Sequence, residues 1–265
     1  MIGVFGTEAG INDPFVVPDP ITELFEFPSV AFDGTLFAIN RTVLITLFAS
    51  LLGAALLMTA FSRPKVVPGK LQAAGEALVE TIRDQIALQV MGAEGRAWVP
   101  YLTLIFVWVW LNNIFGIIPL VNFPATSRMA LPLLVTAFIY VTYLVVGVRT
   151  QGLRYFRDAL FPPGVPKAIY VLITPIEILQ LFIVRPLTLA VRLFANMVAG
   201  HILLTIIFLA TQAFLFSGLG TPIGLIGLVA APAIIAFELV VGILQAYIMT
   251  MLAAVYIGSS LHAEH

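Results

Sequence analysis

The sequence contains no cysteine and very little charge. The absence of cysteine among 265 residues excludes disulfides and thiolate metal sites. Only 10% of the residues are charged, whereas a soluble domain carries about 25%. A formal net charge of −1 argues against a basic surface for nucleic acid. Because 60% of the residues are hydrophobic and the mean hydropathy is +1.05, we predict a protein solvated by lipid.

The motifs of common soluble enzymes are also missing. The sequence has no G-x-x-x-x-G-K-[ST] phosphate loop, no H-E-x-x-H zinc motif and no G-x-S-x-G nucleophile motif. We therefore expect no cofactor, no metal ion and no bound nucleotide. We also expect that the chain catalyses no reaction by itself.

Five long apolar runs predict an all-α polytopic membrane protein with about five crossings. Three of them have roughly the 20 residues that a bilayer requires. These three cover about residues 40–61, 98–120 and 130–148. The other two, at about 168–216 and 222–258, are much longer. We expect the helix over 168–216 to be strongly tilted, to bend at Pro175 or Pro186, or to lie across the bilayer.

Two segments differ from the apolar runs. Residues 1–37 are acidic and turn-rich and contain no Lys or Arg, and the distribution of the basic residues predicts that they form an external N-terminal segment. They also lack the basic start of a signal peptide, so we expect the first long apolar run to be a retained helix. The remainder, 38–265, is predicted to form one membrane domain. Within it, residues 69–90 place charged side chains between apolar ones at helical spacing. This pattern predicts an amphipathic helix at the membrane interface or packed on a partner.

The basic residues predict the topology. They are concentrated in two loops, at about 62–97 and 149–167, whereas only Arg41 and Arg128 flank the opposite side. By the positive-inside rule, both basic loops are cytoplasmic and the N-terminus is external. Five crossings then place the C-terminus in the cytoplasm.

A small set of polar residues interrupts the last two apolar runs, where a charge costs at least about 2.5–3.5 kcal/mol on insertion scales. This set consists of Glu177, Gln180, Arg185, Arg192, Asn196, His201, Glu238 and Gln245. Spacings of three or four residues align several side chains on one helix face, which we call the arginine stripe. The stripe consists of Arg185, Thr188, Arg192 and Asn196. An ideal helix points His201 to the other side.

The two arginines suggest different roles. Arg185 precedes a proline and suits an anchoring position near a helix bend or the interface. Arg192 is central in its apolar run. Its structural interpretation is a buried ion pair with Glu177 or Glu238. Its functional interpretation is a permanent positive charge, because a guanidinium does not release its proton, and such a charge drives a passing carboxylic acid to ionise.

The remaining polar residues allow a proton path. His201 and Glu238 both titrate, so each can relay protons through a water-filled passage. Asn196 and Gln245 do not titrate, but they can orient water or bind the guanidinium. Their structural alternative is hydrogen bonding between helices.

The segment RPLTLAVRLFANMVAGH, residues 185–201, resembles subunit a of the F-type ATP synthases. Two further matches are NNIFGIIP, which begins at Asn112, and ELVVGILQAYIMTMLAAVYI, which begins at Glu238. The resemblance covers about residues 38–260. It implies a stator subunit that lies beside a ring of c subunits, with b subunits, the other ATP synthase subunits and the lipid bilayer as further partners.

The resemblance also implies roles for single residues. Arg192 matches the essential arginine that faces the ring, with Asn196 one turn later. His201 and Glu238 match an interacting polar pair, and Gln245 matches a glutamine near the arginine. A sixth residue, Glu177, resembles an upstream acidic residue displaced by one position. The two overlong runs, 168–258, would form a horizontal hairpin with two aqueous half-channels. The long basic loop favours a bacterial plasma membrane.

Two other functions stay open at this point. A self-contained ion-coupled transporter could bind an anionic substrate with the arginine, although we find no repeat between residues 38–150 and 168–260 of the kind such folds often carry. A purely structural helical subunit is the second alternative. The sequence does not distinguish protons from sodium ions as the coupling ion.

Overall fold

The computed structural model describes residues 41–117, 129–152, 154–161, 169–215 and 220–261, and the side chains of residues 41 and 42 are left out of the description. The regular elements within these ranges are all helical. The α-helices are α1 (Arg41–Phe61), α2 (Lys70–Ile82), α3 (Leu88–Met91), α4 (Val99–Ile117), α5 (Ala130–Gln151), α6 (Arg154–Leu160), α7 (Tyr170–Leu179), α8 (Arg185–Phe214) and α9 (Thr221–Leu261). Two π-helical segments, Arg83–Ala87 and Gln180–Val184, and one 3₁₀ segment, Gly92–Trp98, connect neighbouring helices.

Five helical stretches in the described ranges are long and apolar enough to cross a membrane. They contain α1, α4, α5, α7 with α8, and α9. This confirms the predicted all-α polytopic architecture. The third predicted span, 130–148, extends to Gln151. The predicted end of the second span, 118–120, and the acidic segment 1–37 lie outside the described residues.

The predicted amphipathic helix forms as α2, a π-helical segment and α3. Its apolar side packs on helices of the same chain: a Cβ added to Gly75 would lie 3.2 Å from the Cβ of Ala60 at the end of α1. Ile82 and Ile86 are buried, whereas Asp84 is exposed. The segment therefore folds back against the bundle, and its charged side remains outside.

The basic segment 149–167, predicted as a loop, contains the short helix α6. Tyr155 anchors this helix, because its buried ring lies against Gly147, where an added Cβ would come within 2.7 Å of the ring. Ser260 also donates a hydrogen bond from its hydroxyl to the Tyr155 hydroxyl, at 3.3 Å. The segment still connects two candidate spans, as predicted, but part of it is a short helix that one buried tyrosine holds in place.

The overlong run that begins near residue 168 is helical from α7 through α8. Pro175 lies inside α7. The π-helical segment Gln180–Val184 ends just before Pro186, whose ring nitrogen has no hydrogen to donate to the carbonyl four residues earlier. A π-helical turn is one way in which a helix accommodates such a missing donor.

Helices α8 and α9 form an antiparallel hairpin, as the family resemblance implied. Glycines allow the two helices to approach each other closely at three points along the hairpin, and a cation–π contact joins them at a fourth point. The facing pairs are Leu215 with Gly224, Thr211 with Gly227, Glu238 with Gly200, and Arg185 with Tyr256. This register brings Arg192 level with the part of α9 that contains Gln245. The horizontal orientation of the hairpin stays a prediction.

We expect Gly224→Ala to loosen the tip of this hairpin. A Cβ at this position would collide with the backbone of Leu215, which cannot move aside as a flexible side chain can. Such overpacking costs about 1–3 kcal/mol of folding free energy. The solubilised chain should therefore aggregate at a lower temperature in a thermal melt. Gly69→Ala is the matched control, since no atom lies within 4 Å of its added Cβ, and equal melting of both variants would contradict this account.

Candidate functional site

A partly polar cavity lies between α4, α8 and α9. Its volume is about 170 Å³, which is enough for several water molecules. Its wall is formed by Asn113, Gly116, Ile117, Asn196, Met197, Ala199, Gly200, His201, Leu203, Phe237, Glu238 and Val241. Three predicted site residues, Asn196, His201 and Glu238, therefore meet at one cavity although they come from two helices.

Gly200 sets the position of the Glu238 carboxylate. A Cβ at Gly200 would collide with Oε1 of Glu238, so a larger residue there would displace the carboxylate from this position against α8. This oxygen is buried and has no hydrogen-bond partner among the described residues. The side chain of His201, one residue further along α8, is 7% exposed and lines the same cavity. The hairpin register thus places two titratable groups in the wall of one cavity.

Asn113 is a residue of this cavity that the sequence analysis did not select. It lies in α4 and is fully buried, and its Nδ2 donates a hydrogen bond to the backbone oxygen of Gly242 in α9, at 3.3 Å. The neighbouring Asn112 donates instead to the Trp108 carbonyl of its own helix. Two adjacent amides inside an apolar span are unusual, so the sequence did mark Asn112 and Asn113 as candidate site residues.

Arg192 lies outside the cavity on an exposed face of α8. The described residues offer it no hydrogen bond and no ion pair; the ion pair that the structure does form among them joins Arg83 and Asp84. The predicted alternative of a buried pair with Glu177 or Glu238 was therefore wrong. The reason is the register, which sets Glu238 against Gly200 and not against Arg192.

Arg192 is nevertheless close to the cavity along the helix. Asn196, which lines the cavity, follows it by one turn, or about 6 Å along the axis. His201 is buried while Arg192 is exposed, which fits the predicted opposition of these two side chains.

Arg185 makes a different contact from Arg192. Its guanidinium carbon lies 5.6 Å from the ring centroid of Tyr256 in α9, which is the geometry of a cation–π interaction. This contact joins the start of α8 to the end of α9. The anchoring interpretation of Arg185 fits this arrangement.

The two remaining candidates lie away from the cavity. Gln245 is 5% exposed in α9, and its Nε2 has no hydrogen-bond partner among the described residues. Glu177 lies in α7, partly buried, about 35 Å from His201 along the helical path. The structure therefore groups Asn196, His201 and Glu238 and separates them from Glu177.

Comparison with known proteins identifies the family. The sequence matches the family described as ATP synthase A chain over residues 42–258. It is 38% identical over 265 residues to ATP synthase subunit a of Frankia alni, a match that covers 95% of this chain and 91% of the relative. It is 39% identical over 249 residues to ATP synthase subunit a of Rhodococcus erythropolis, with 92% and 90% covered. The subunit a of Streptomyces lividans is 35% identical over 270 residues, with 98% and 93% covered. The resemblance found in the sequence is thereby confirmed, and the chain belongs to the subunit a family of the rotary ATP synthases, as a multi-pass membrane subunit.

Proposed function

We propose that this chain is the proton-translocating stator subunit of a rotary ATP synthase, in which Arg192 forces carboxylic acids on a ring of c subunits to ionise. One observation carries this proposal: Arg192 lies exposed on a helix face with no partner among the described residues. A charge exposed to lipid costs at least about 2.5–3.5 kcal/mol. A second chain that brings a carboxylate to this face would offset that cost.

The surroundings of Arg192 suit a moving partner. Val191, next to Arg192 in the helix, is 42% exposed, and Ala195 is an exposed small residue one turn away. The hydroxyl of Thr188 donates to the Val184 carbonyl of its own helix, so it is already engaged there. Exposed apolar and small side chains thus lie beside the Arg192 guanidinium, which would allow ring helices to slide past and lose a proton only there.

The cavity supplies the proposed uptake path. Helix α4 starts beside the basic 62–97 segment, and the cavity lies at its other end, near Asn113 and Ile117. Since the positive-inside rule places the basic segment in the cytoplasm, this end faces the exterior. Protons would pass by Glu238 and His201 to Asn196, one turn from Arg192, and from there to the ring.

Glu177 belongs to the proposed release path. It lies in α7, which follows the second basic segment, so it is on the cytoplasmic side of Arg192. Gln245, level with Arg192 on α9, can orient water between the two paths. The protonmotive force supplies about 2.3 kcal/mol per charge for each 100 mV. ATP itself is made on other subunits.

The remaining assignments follow from this function. The chain would lie in a bacterial plasma membrane with its N-terminus outside and its C-terminus in the cytoplasm, held as a stator by peripheral b subunits. The acidic residues 1–37 would lie on the external side. The ring carboxylate would decide whether protons or sodium ions are carried.

A cross-linking experiment tests the contact with the ring. Since the chain has no cysteine, Ala195→Cys introduces a single thiol beside Arg192. In the membrane-embedded complex it should form a disulfide with cysteines placed one at a time along the outer helix of a c subunit, near its carboxylate. Leu51→Cys, 62% exposed on α1, is the control and should form none. Equal yields at both positions, or none at Ala195, would contradict the proposed ring-facing surface.

A further inference from the structure

The short segment between α1 and α2, residues 62–69, exposes two apolar side chains. Val66 and Val67 are 102% and 82% exposed, more than any other large hydrophobic residue that the structure describes. The segment follows α1 directly, and α1 is one of the candidate spans. The two valines are therefore held a few residues from the point where the chain leaves the membrane.

Hydrogen bonds to one buried glutamine hold this segment in place. The backbone nitrogen of Lys65 donates to Oε1 of Gln72, and Nε2 of Gln72 donates back to the Lys65 carbonyl, both at 3.1 Å. Nε2 also donates to Glu76 at 2.7 Å. Gln72 is only 7% exposed, and Pro64 and Pro68 restrict the backbone on either side of the valines. The exposure of the valines is thus imposed by a defined local structure.

Positive charges surround the two valines. Arg63, Lys65 and Lys70 are all exposed, and no acidic residue occurs between position 62 and Glu76. Exposed apolar side chains flanked by cations suit the boundary between phospholipid headgroups and acyl chains. There the apolar side chains are buried and the cations contact phosphates. A leaflet rich in anionic lipid attracts such a cluster most strongly.

We propose that residues 62–70 form a membrane anchor, with Val66 and Val67 inserted below the headgroups and the three cations bound to anionic phospholipids. The anchor fixes the end of α1 and the start of α2 at the depth of the leaflet surface. Because α2 packs on α1, this contact also holds the amphipathic helix against the membrane. A stator that must resist torque gains a lateral attachment to the lipid at this point.

The test uses the intact complex with Val67→Cys carrying a polarity-sensitive fluorophore, reconstituted in vesicles of phosphatidylcholine alone or with phosphatidylglycerol. We expect blue-shifted emission, quenching by brominated lipid several-fold stronger than quenching by iodide, and a larger shift with phosphatidylglycerol. Leu51→Cys on the apolar face of α1 should respond to brominated lipid in both vesicles. Glu80→Cys on the exposed side of α2 should respond to iodide.

A charge-neutral variant separates the two parts of the proposal. With Arg63, Lys65 and Lys70 all replaced by glutamine, the labelled complex should lose the dependence on phosphatidylglycerol while brominated lipid still quenches. Quenching by iodide alone would overturn the insertion and leave the valines in water. Protection from both quenchers would overturn it in favour of a covering protein subunit. Identical emission in the two vesicle types would overturn the role of the cations.

Discussion

Replacing Arg192 with alanine is expected to abolish proton-driven ATP synthesis by the assembled complex. An opposite charge nearby lowers the pKa of a carboxyl group by about 1–3 units, so the loss of Arg192 would cut the ionised fraction of a ring carboxylate by roughly tenfold to a thousandfold. The same substitution removes the charge that repels protons from a direct passage. Vesicles with the Arg192→Ala complex should therefore make little ATP and should leak protons passively. Both are measured after imposing a pH gradient and a membrane potential.

Two further variants test whether ATP synthesis depends on a guanidinium at position 192 or only on a positive charge in this part of α8. Arg185→Ala removes a guanidinium from the same stripe, but this group lies over the Tyr256 ring. We expect it to retain most synthesis and to lose about 0.5–1 kcal/mol of stability, typical of a cation–π contact. Arg192→Lys keeps a cation that can deprotonate, so its synthesis should fall between those of Arg192→Ala and the wild type. Wild-type synthesis by Arg192→Ala would refute the proposed mechanism.

The helices were predictable because lipid imposes a simple rule on them. A span needs a run of about 20 apolar residues, so the boundaries of α1 and α5 could be predicted to within a few positions. The excessive length of the run 168–216 predicted a tilted, bent or membrane-parallel helix, whereas the hairpin was implied by the family resemblance. Helix α6 was missed because its seven residues are too few and too polar for a periodic signal, and a distant contact of Tyr155 stabilises it.

The sequence predicted which side chains of α8 share a helix face, but not which residues of α8 and α9 lie opposite each other. Spacing along α8 separated Arg192 from His201 correctly, because both lie on one helix of known period. It carried no information about which residue of α9 faces which residue of α8. Glycine contacts decide that, and they pair Glu238 with Gly200, which excludes the alternative of an ion pair between Glu238 and Arg192. Asn113 is a different case: two adjacent amides in an apolar span marked the position, but only the packing of α4 against α9 shows that Asn113 reaches the cavity.

Glu238 offers the sharpest test of the cavity as a proton path. Glu238→Gln keeps the volume and one oxygen but cannot exchange a proton. Loss of a positioned proton carrier costs about 10²–10⁴-fold in acid–base reactions. Because water in the cavity can bypass the residue in part, we expect a loss at the lower end, near 10²-fold, in proton-driven synthesis. The amount of assembled complex in the membrane should not change.

A second variant distinguishes the loss of the titratable carboxyl group at position 238 from a change in how that group packs. Gly200→Ala keeps the Glu238 carboxyl group but displaces it, since the new Cβ would collide with Oε1. It should impair synthesis less than Glu238→Gln does. Gly242→Ala is the matched control, because its added Cβ would meet Asn113 at an ordinary distance of 3.4 Å. If Glu238→Gln worked normally while Gly200→Ala did not, the cavity would matter only as space for water, and Glu238 would be a packing residue. If Glu238→Gln impaired ATP synthesis while Gly242→Ala did not, we would instead conclude that the carboxyl group facing Gly200 carries the transferred proton.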